Sequence, residues 1–175
     1  RRSHDIFDQF DIINQFFGGG MEDATYSVKS KPITIDVQPL PQNNKPESFS
    51  GAVGDFSIKA ELSKDKVKAN DAIDLIITLN GKGNIKLVDP PKINFPDDFE
   101  TYDPKIKENI GVTANGVSGS KTFDYTVIPR HEGDYTISGI DFSYYDSGKK
   151  QYVTVPSPEF KIHVDKGKDD GTAAS

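Results

Sequence analysis

From Phe49 onward, apolar and polar residues alternate in stretch after stretch. Phe56, Ile58, Ala60 and Leu62 are interleaved with Ser57, Lys59 and Glu61. Ile73, Leu75, Ile77 and Leu79 repeat the pattern, followed by Phe123, Tyr125 and Val127, and then by Phe160, Ile162 and Val164. A period of two puts each set on one face of a strand, so each stretch predicts a strand with one buried side. Turn residues punctuate the run at Ser63-Lys64-Asp65, Asn80-Gly81-Lys82-Gly83, Asp89-Pro90-Pro91, Asn115-Gly116, Glu132-Gly133-Asp134 and Asp146-Ser147-Gly148, with no convincing helix between them. This cadence predicts an all-β fold, an immunoglobulin-like antiparallel β-sandwich of about seven to nine strands over residues 49–165. After Tyr135 and Ile137 the apolar phase shifts at Gly139, so that Ile140, Phe142 and Tyr144 share a face. A bulge or a crossing between sheets produces such a shift.

Ahead of this region the pattern differs. Residues 1–20, RRSHDIFDQFDIINQFFGGG, space Ile6, Phe7, Phe10, Ile12, Ile13, Phe16 and Phe17 as in a short amphipathic helix ended by glycines, or else form an insertion loop. Exposed together these side chains would make a sticky patch, so they are read as docking on a preceding domain, with an unmet partner as the alternative. ATYSVKS and PITIDVQ read as two short strands, the second with Ile33, Ile35 and Val37 on one face. Residues 1–38 are therefore expected to be the terminal strands of a second, incomplete immunoglobulin-like β domain carrying an aromatic insertion. Residues 39–48, PLPQNNKPES, are rich in Pro and Asn and predict a stiff linker. Residues 166–175 are too small and polar to nucleate a core and predict a disordered tail. The chain begins RRSHD and is read as a piece of a longer protein.

Charge and composition narrow the function classes. The net charge is −6 with no basic stripe, which lacks the electrostatic footprint of a nucleic-acid binder. No apolar run approaches the roughly 20 residues that span a bilayer. The chain has no cysteine, so neither a disulfide framework nor thiolate chemistry is available to it.

The densest polar cluster is Arg130, His131, Glu132 and Asp134, set between two strands. His131 flanked by carboxylates suggests a general base, but no cysteine, no G-x-S-x-G elbow and no paired-carboxylate setting accompanies it. The spacing Gly133, Tyr135, Ile137 instead matches a tyrosine corner, in which a tyrosine hydroxyl returns to backbone a few residues upstream and pins a turn. On that reading Arg130, His131 and Glu132 sit in solvent. His4 and His163 lie far from it in sequence and show no zinc spacing. The stretch DPPKINFPDDFETYDPK offers Asp89, Asp97, Asp98, Glu100 and Asp103, but it lacks the glycine-spaced pattern of a calcium loop. No catalytic, metal or cofactor site is therefore assigned. Asp97, Asp98 and Glu100, together with Tyr144, Tyr145 and Tyr152, are taken as a candidate partner surface. The tyrosines are either sheet packing or an exposed row for a protein or a sugar.

Several stretches in order resemble BatD, the oxygen-tolerance family of the Bacteroides aerotolerance operon. They are PITIDVQPLP, FSGAVGDFSIKAELS, GNIKLVDPPKINFPDDFETYDPK, GSKTFDYTVIPRHEGDYTISGIDFSYYD and QYVTVPSPEFKIHV. The motif positions are Phe49 ahead of Gly51 and Gly54, the Gly83-Asn84 pair, Tyr102-Asp103-Pro104, and Pro129-Arg130 ahead of the corner. The resemblance implies a cell-envelope protein with tandem immunoglobulin-like domains on the periplasmic side and a transmembrane anchor beyond this sequence. The partners it implies are von Willebrand A-type proteins (BatA, BatB), repeat proteins and a MoxR-type AAA ATPase, in a complex linked to oxygen or stress tolerance. It implies no enzymatic activity and no cofactor. The expected function is thus a non-enzymatic protein-interaction module. The alternative is a carbohydrate-binding or accessory module of a surface glycan system that stacks sugars on Tyr144, Tyr145 and Tyr152.

Overall fold

A computed structural model describes residues 26–167 of the chain. The aromatic segment Ile6–Phe17 and the tail from residue 168 lie outside the described residues. Residues up to Pro39 and residues from Leu40 form separate units. In the first, residues 26–39 form no strand, and Ile33, Ile35 and Val37 are 80–88 % exposed. The alternation there predicts strands, but a strand is held by ladder partners and a buried face, and these described residues have neither.

From Leu40 the unit is almost entirely β, with no α-helix among its described residues. Ten strands follow in order: β1 (Phe49–Leu62), β2 (Lys66–Lys68), β3 (Ile73–Gly83), β4 (Phe99–Thr101), β5 (Lys105–Thr113), β6 (Gly116–Pro129), β7 (Gly133–Ile137), β8 (Asp141–Asp146), β9 (Gln151–Pro156) and β10 (Phe160–Asp165). A single 3₁₀ turn, Ile85–Leu87, follows β3. Seven strands make one curled sheet in the order β4-β6-β3-β1-β8-β9, with β5 also paired to β6. β4 takes Val127–Pro129 of β6 and β5 takes Gly116–Asp124, so the two succeed one another along the same edge. A second sheet has the order β2-β10-β7.

The all-β class expected from the alternation is present, but the pairing is mixed where an antiparallel one was expected. β1 runs parallel to β8 through Phe49–Val53, then antiparallel to β3 through Gly54–Leu62, and β2 is parallel to β10. Turn cadence reports hairpins between neighbours in sequence. It carries no information on parallel partners, which a long crossover brings together.

Alternation along β3 buries Ile73, Leu75, Ile77 and Leu79, and along β6 it buries Phe123, Tyr125 and Val127. All of these but Leu79 meet Val67, Ile137, Ile162 and Val164 of the small sheet in one core cluster. A second cluster, Ala52, Phe56, Leu79, Phe142 and Tyr144, is closed by Ile85 and Val88 from the 3₁₀ segment rather than by another sheet. The phase shift at Gly139 marks the passage from β7 in the small sheet to β8 in the large one. A Cβ at Gly139 would stand 2.6 Å from the Ser157 carbonyl, so the crossing needs glycine.

The small sheet carries a titratable clasp. His163 on β10 bonds Asp134 of β7 through Nδ1 at 2.6 Å and Asp165 through Nε2 at 3.2 Å. The hydrogen bond with Asp134 is the main cause of a pKa held above the ordinary histidine value, with charge attraction from Asp134 and Asp165 adding to it against partial desolvation. A raised folded pKa stabilises fully below the unfolded value of about 6.5 and is lost as pH rises through the folded value. The difference in thermal midpoint between the wild type and His163→Gln is therefore expected to be largest near pH 5.5 and to shrink toward pH 8. A difference that grows with pH would contradict the clasp.

Candidate functional site

A dense polar cluster sits at the turn from β6 into β7. Pro129 is fully buried and donates no backbone N–H, so the ladder with β4 ends on it. Three loops meet there. Asn70, at φ +72°, donates its amide to the Pro129 carbonyl at 2.8 Å, and its side-chain oxygen accepts from Arg130 Nη1 at 2.9 Å. Arg130 also pairs with Glu100, whose other oxygen accepts from the Tyr102 hydroxyl. From the β6–β7 side, the Tyr135 hydroxyl donates to Asp98 Oδ2 at 2.6 Å and lies 3.1 Å from the His131 carbonyl, four residues upstream. Asp98 further accepts from the His131 backbone amide at 3.0 Å and contacts His131 Nδ1. The Tyr135 ring meets Phe99 edge-on at 5.0 Å.

This arrangement uses up its own charges. The Asp98 carboxyl is held below the usual carboxylate range, first by the Tyr135 hydroxyl and then by His131. Tyr135 is shifted up because it donates to that carboxylate, so it is not a phenolate nucleophile. The His131 side chain is 78 % exposed, and among the described residues no serine, threonine or cysteine hydrogen-bonds to it. His131 thus has no side-chain nucleophile beside it among the described residues. No three metal-ligating side chains converge among the described residues. Because a depressed folded pKa stabilises above the unfolded value and fails as pH falls through the folded one, Asp98→Asn is expected to lower the thermal midpoint at pH 7. The gap to the wild type should close below about pH 4. An equal gap at pH 3 and pH 7 would show that the charge of Asp98 contributes nothing.

Of the residues taken as a partner surface, most are committed inside the fold. Asp98 and Glu100 are engaged as above, and Asp97 is the exposed member of the three. Tyr144 and Tyr145 are buried at 4 % and 9 % exposure. Tyr144 packs edge-on against Phe56, and burial is the first cause of its raised phenol pKa. Tyr145 packs on Tyr152, which is half-buried, donates to the Pro41 carbonyl at 2.7 Å and meets Phe49 edge-on. An exposed row of three tyrosines is therefore absent. β8 is covered on both faces, and period-two reasoning assumed one exposed face.

The Phe-Gly and Gly-Asn motif positions converge on the place where β1 changes partner. Asn84 accepts from the Val53 amide at 2.7 Å and donates through Nδ2 to the Gly51 carbonyl at 2.8 Å, clipping β1. Gly54 and Gly83 face each other across the ladder at φ +148° and +138°. Tyr102, Asp103 and Pro104 form the break between β4 and β5, where the Tyr102 amide reaches the Thr126 carbonyl at 3.3 Å. These positions, like Pro129 and Arg130, hold backbone junctions.

One surface feature went unread in the sequence. Between the 3₁₀ turn and the β5–β6 hairpin runs a trough of about 480 Å³ lined by Leu87, Ile110, Val112 and Val117, with Lys86 and Glu108 at its sides. Leu87 and Val112 are 75 % and 78 % exposed. Beneath it Lys121, 6 % exposed, pairs with Glu108 at 3.0 Å and donates to the Lys86 carbonyl at 3.0 Å. The available signal was the apolar alternation through Ile106, Ile110 and Val112, continued at Val117 beyond the turn.

Comparison with known families bears on this geometry. The family model described as the BatD DUF11 like domain matches residues 60–164, more than half of the chain. The chain belongs to the BatD family. No curated protein and no solved structure matches it. BatD membership supplies a context, the Bat aerotolerance system, and indicates no catalytic family. BatD also suggests the cell envelope, and among the described residues no helix is long and apolar enough to cross a membrane.

Proposed function

We propose that this BatD domain is a non-enzymatic protein-interaction module on the periplasmic side of the envelope, anchored to the membrane by a segment outside this sequence. Its partners on this reading are von Willebrand A-type proteins of the BatA and BatB kind, working with a MoxR-type ATPase in oxygen or stress tolerance. The family match over residues 60–164 carries the proposal. The polar corner supports it, because the groups best suited to chemistry there are spent on tying three loops together. The small sheet covering the Ile73–Val127 face supports kinship with immunoglobulin-like sandwiches, which serve widely as rigid presenters of surface. Of Asp97, Asp98 and Glu100, Asp97 is the one still exposed to a partner's metal ion.

The test uses the full chain as bait on detergent extracts of native membranes. Enrichment of von Willebrand A-type proteins over a bait of unrelated β fold is the expected result. Recovery of no envelope protein, or a glycan array with strong specific hits, would overturn the reading.

A further inference from the structure

Each sheet ends in edge strands, and these differ in how they are protected. β2, β4 and β7 have three to five residues, and β9 has six and ends in Pro156. β5 has nine residues and no proline, and among the described residues its only ladder partner is β6. An edge of that length presents a row of backbone donors and acceptors that can template another strand. Beside it lies the apolar trough, lined on its far side by Gly83, Asn84 and Leu87. A strand added to β5 would continue the face of Ile106, Glu108, Ile110 and Val112, placing alternate side chains next to that trough.

The charges around this edge select the occupant. Lys105 and Lys107 lie on the opposite face of β5, Lys86 borders the trough, and Lys82 reaches the hairpin end near Gly116. Glu108 is neutralised by buried Lys121. In a chain of net charge −6 this is a local cationic frame around an apolar centre. Lysines on an edge oppose pairing of two identical edges, which argues against a second copy meeting β5 to β5. They favour a strand that brings acids.

We infer that the outer edge of β5, with the Leu87–Val112 trough, is a docking site for an extended segment of a partner protein that alternates β-branched apolar residues with Asp or Glu. The inference rests on the interaction-module reading and names its surface. Binding would add a strand to the large sheet, with main-chain bonds supplying affinity and the trough supplying specificity.

The probe is a pair of synthetic nine-residue peptides, one alternating valine and isoleucine with glutamate, the other with lysine, titrated into the isotope-labelled full chain. The expected result is amide shifts concentrated in Lys105–Thr113 with the acidic peptide, at least tenfold tighter binding than the basic one, and at least tenfold loss in Val112→Glu and in the Lys105→Glu, Lys107→Glu double variant. Equal binding of both peptides, shifts confined to β9, or no binding would overturn it. So would a dimer of the full chain that Val112→Glu dissociates, since a second copy would then cover the site. The native-membrane experiment separates the two proposals. If wild type and Val112→Glu retain von Willebrand A-type proteins equally, this surface is wrong while the module reading stands. If the acidic peptide binds β5 but wild type retains no envelope protein, the surface stands and the module reading fails.

Discussion

Phe123→Ala is expected to lower the free energy of unfolding by about 3–5 kcal/mol, the range for truncating a fully buried aromatic. Phe123 has no exposed surface and sits mid-strand in β6, opposite Ile77 of β3 on one side and Ile106 of β5 on the other. It belongs to the cluster shared by the two sheets, and the Lys121 ammonium lies 5.8 Å from its ring centre. Removing the ring leaves a void lined by strands whose ladders prevent collapse, so both the transfer cost and the cavity cost apply. Since domains of this size have about 5–15 kcal/mol in total, roughly a fifth or more of the stability is at stake. Urea denaturation with an unchanged slope would measure it. A loss under about 1 kcal/mol would mean that the two sheets do not pack on this ring.

Gly83→Ala is expected to cost about 2–5 kcal/mol from backbone strain and overpacking together. Its φ of +138° excludes most side chains, and a Cβ would stand 2.2 Å from the Val53 carbonyl and 2.8 Å from Gly54 Cα. Both are backbone atoms, so relief requires parting β1 from β3 beside the Asn84 clip. Gly111→Ala is the control. In β5 a Cβ there meets only the Ser118 carbonyl at 4.0 Å, so the change should stay within about 0.5 kcal/mol or stabilise slightly. Equal effects at the two positions would show that glycine at 83 answers to composition and not to the close crossing of two strands.

The contrast between these glycines shows where sequence reading stops. Gly83 and Gly111 both sit in strands; the glycine-rich run Asn80–Gly83 reads locally as a turn, yet β3 continues through it. What separates them is Val53, thirty positions upstream, whose carbonyl the fold brings against one and not the other. The polar corner shows the same division. Gly133, Tyr135 and Ile137 lie close in sequence, and a tyrosine reaching back to its own turn is a local relation that spacing can express. That Asp98 and Glu100 join it from the start of β4 is a long-range relation. Read as free loop carboxylates, they are the corner's counter-charges. For the tyrosines of β8 the alternation left sheet packing and an exposed row both open, because alternation cannot tell which strand is covered on both faces.

By itself the sequence determined the β class, the alternating strands at 56–62, 73–79, 123–127 and 160–164, the shift at Gly139 and, through ordered motifs, the BatD family. These follow from local sterics and side-chain period, which act over a few residues at a time. Tertiary structure alone decided that β1 runs parallel to β8, that the second core cluster closes on a 3₁₀ turn, and that β5 is left as a long cationic edge beside an apolar trough. Those features depend on which strand wins a partner far along the chain, and that competition is settled by the burial of the whole core.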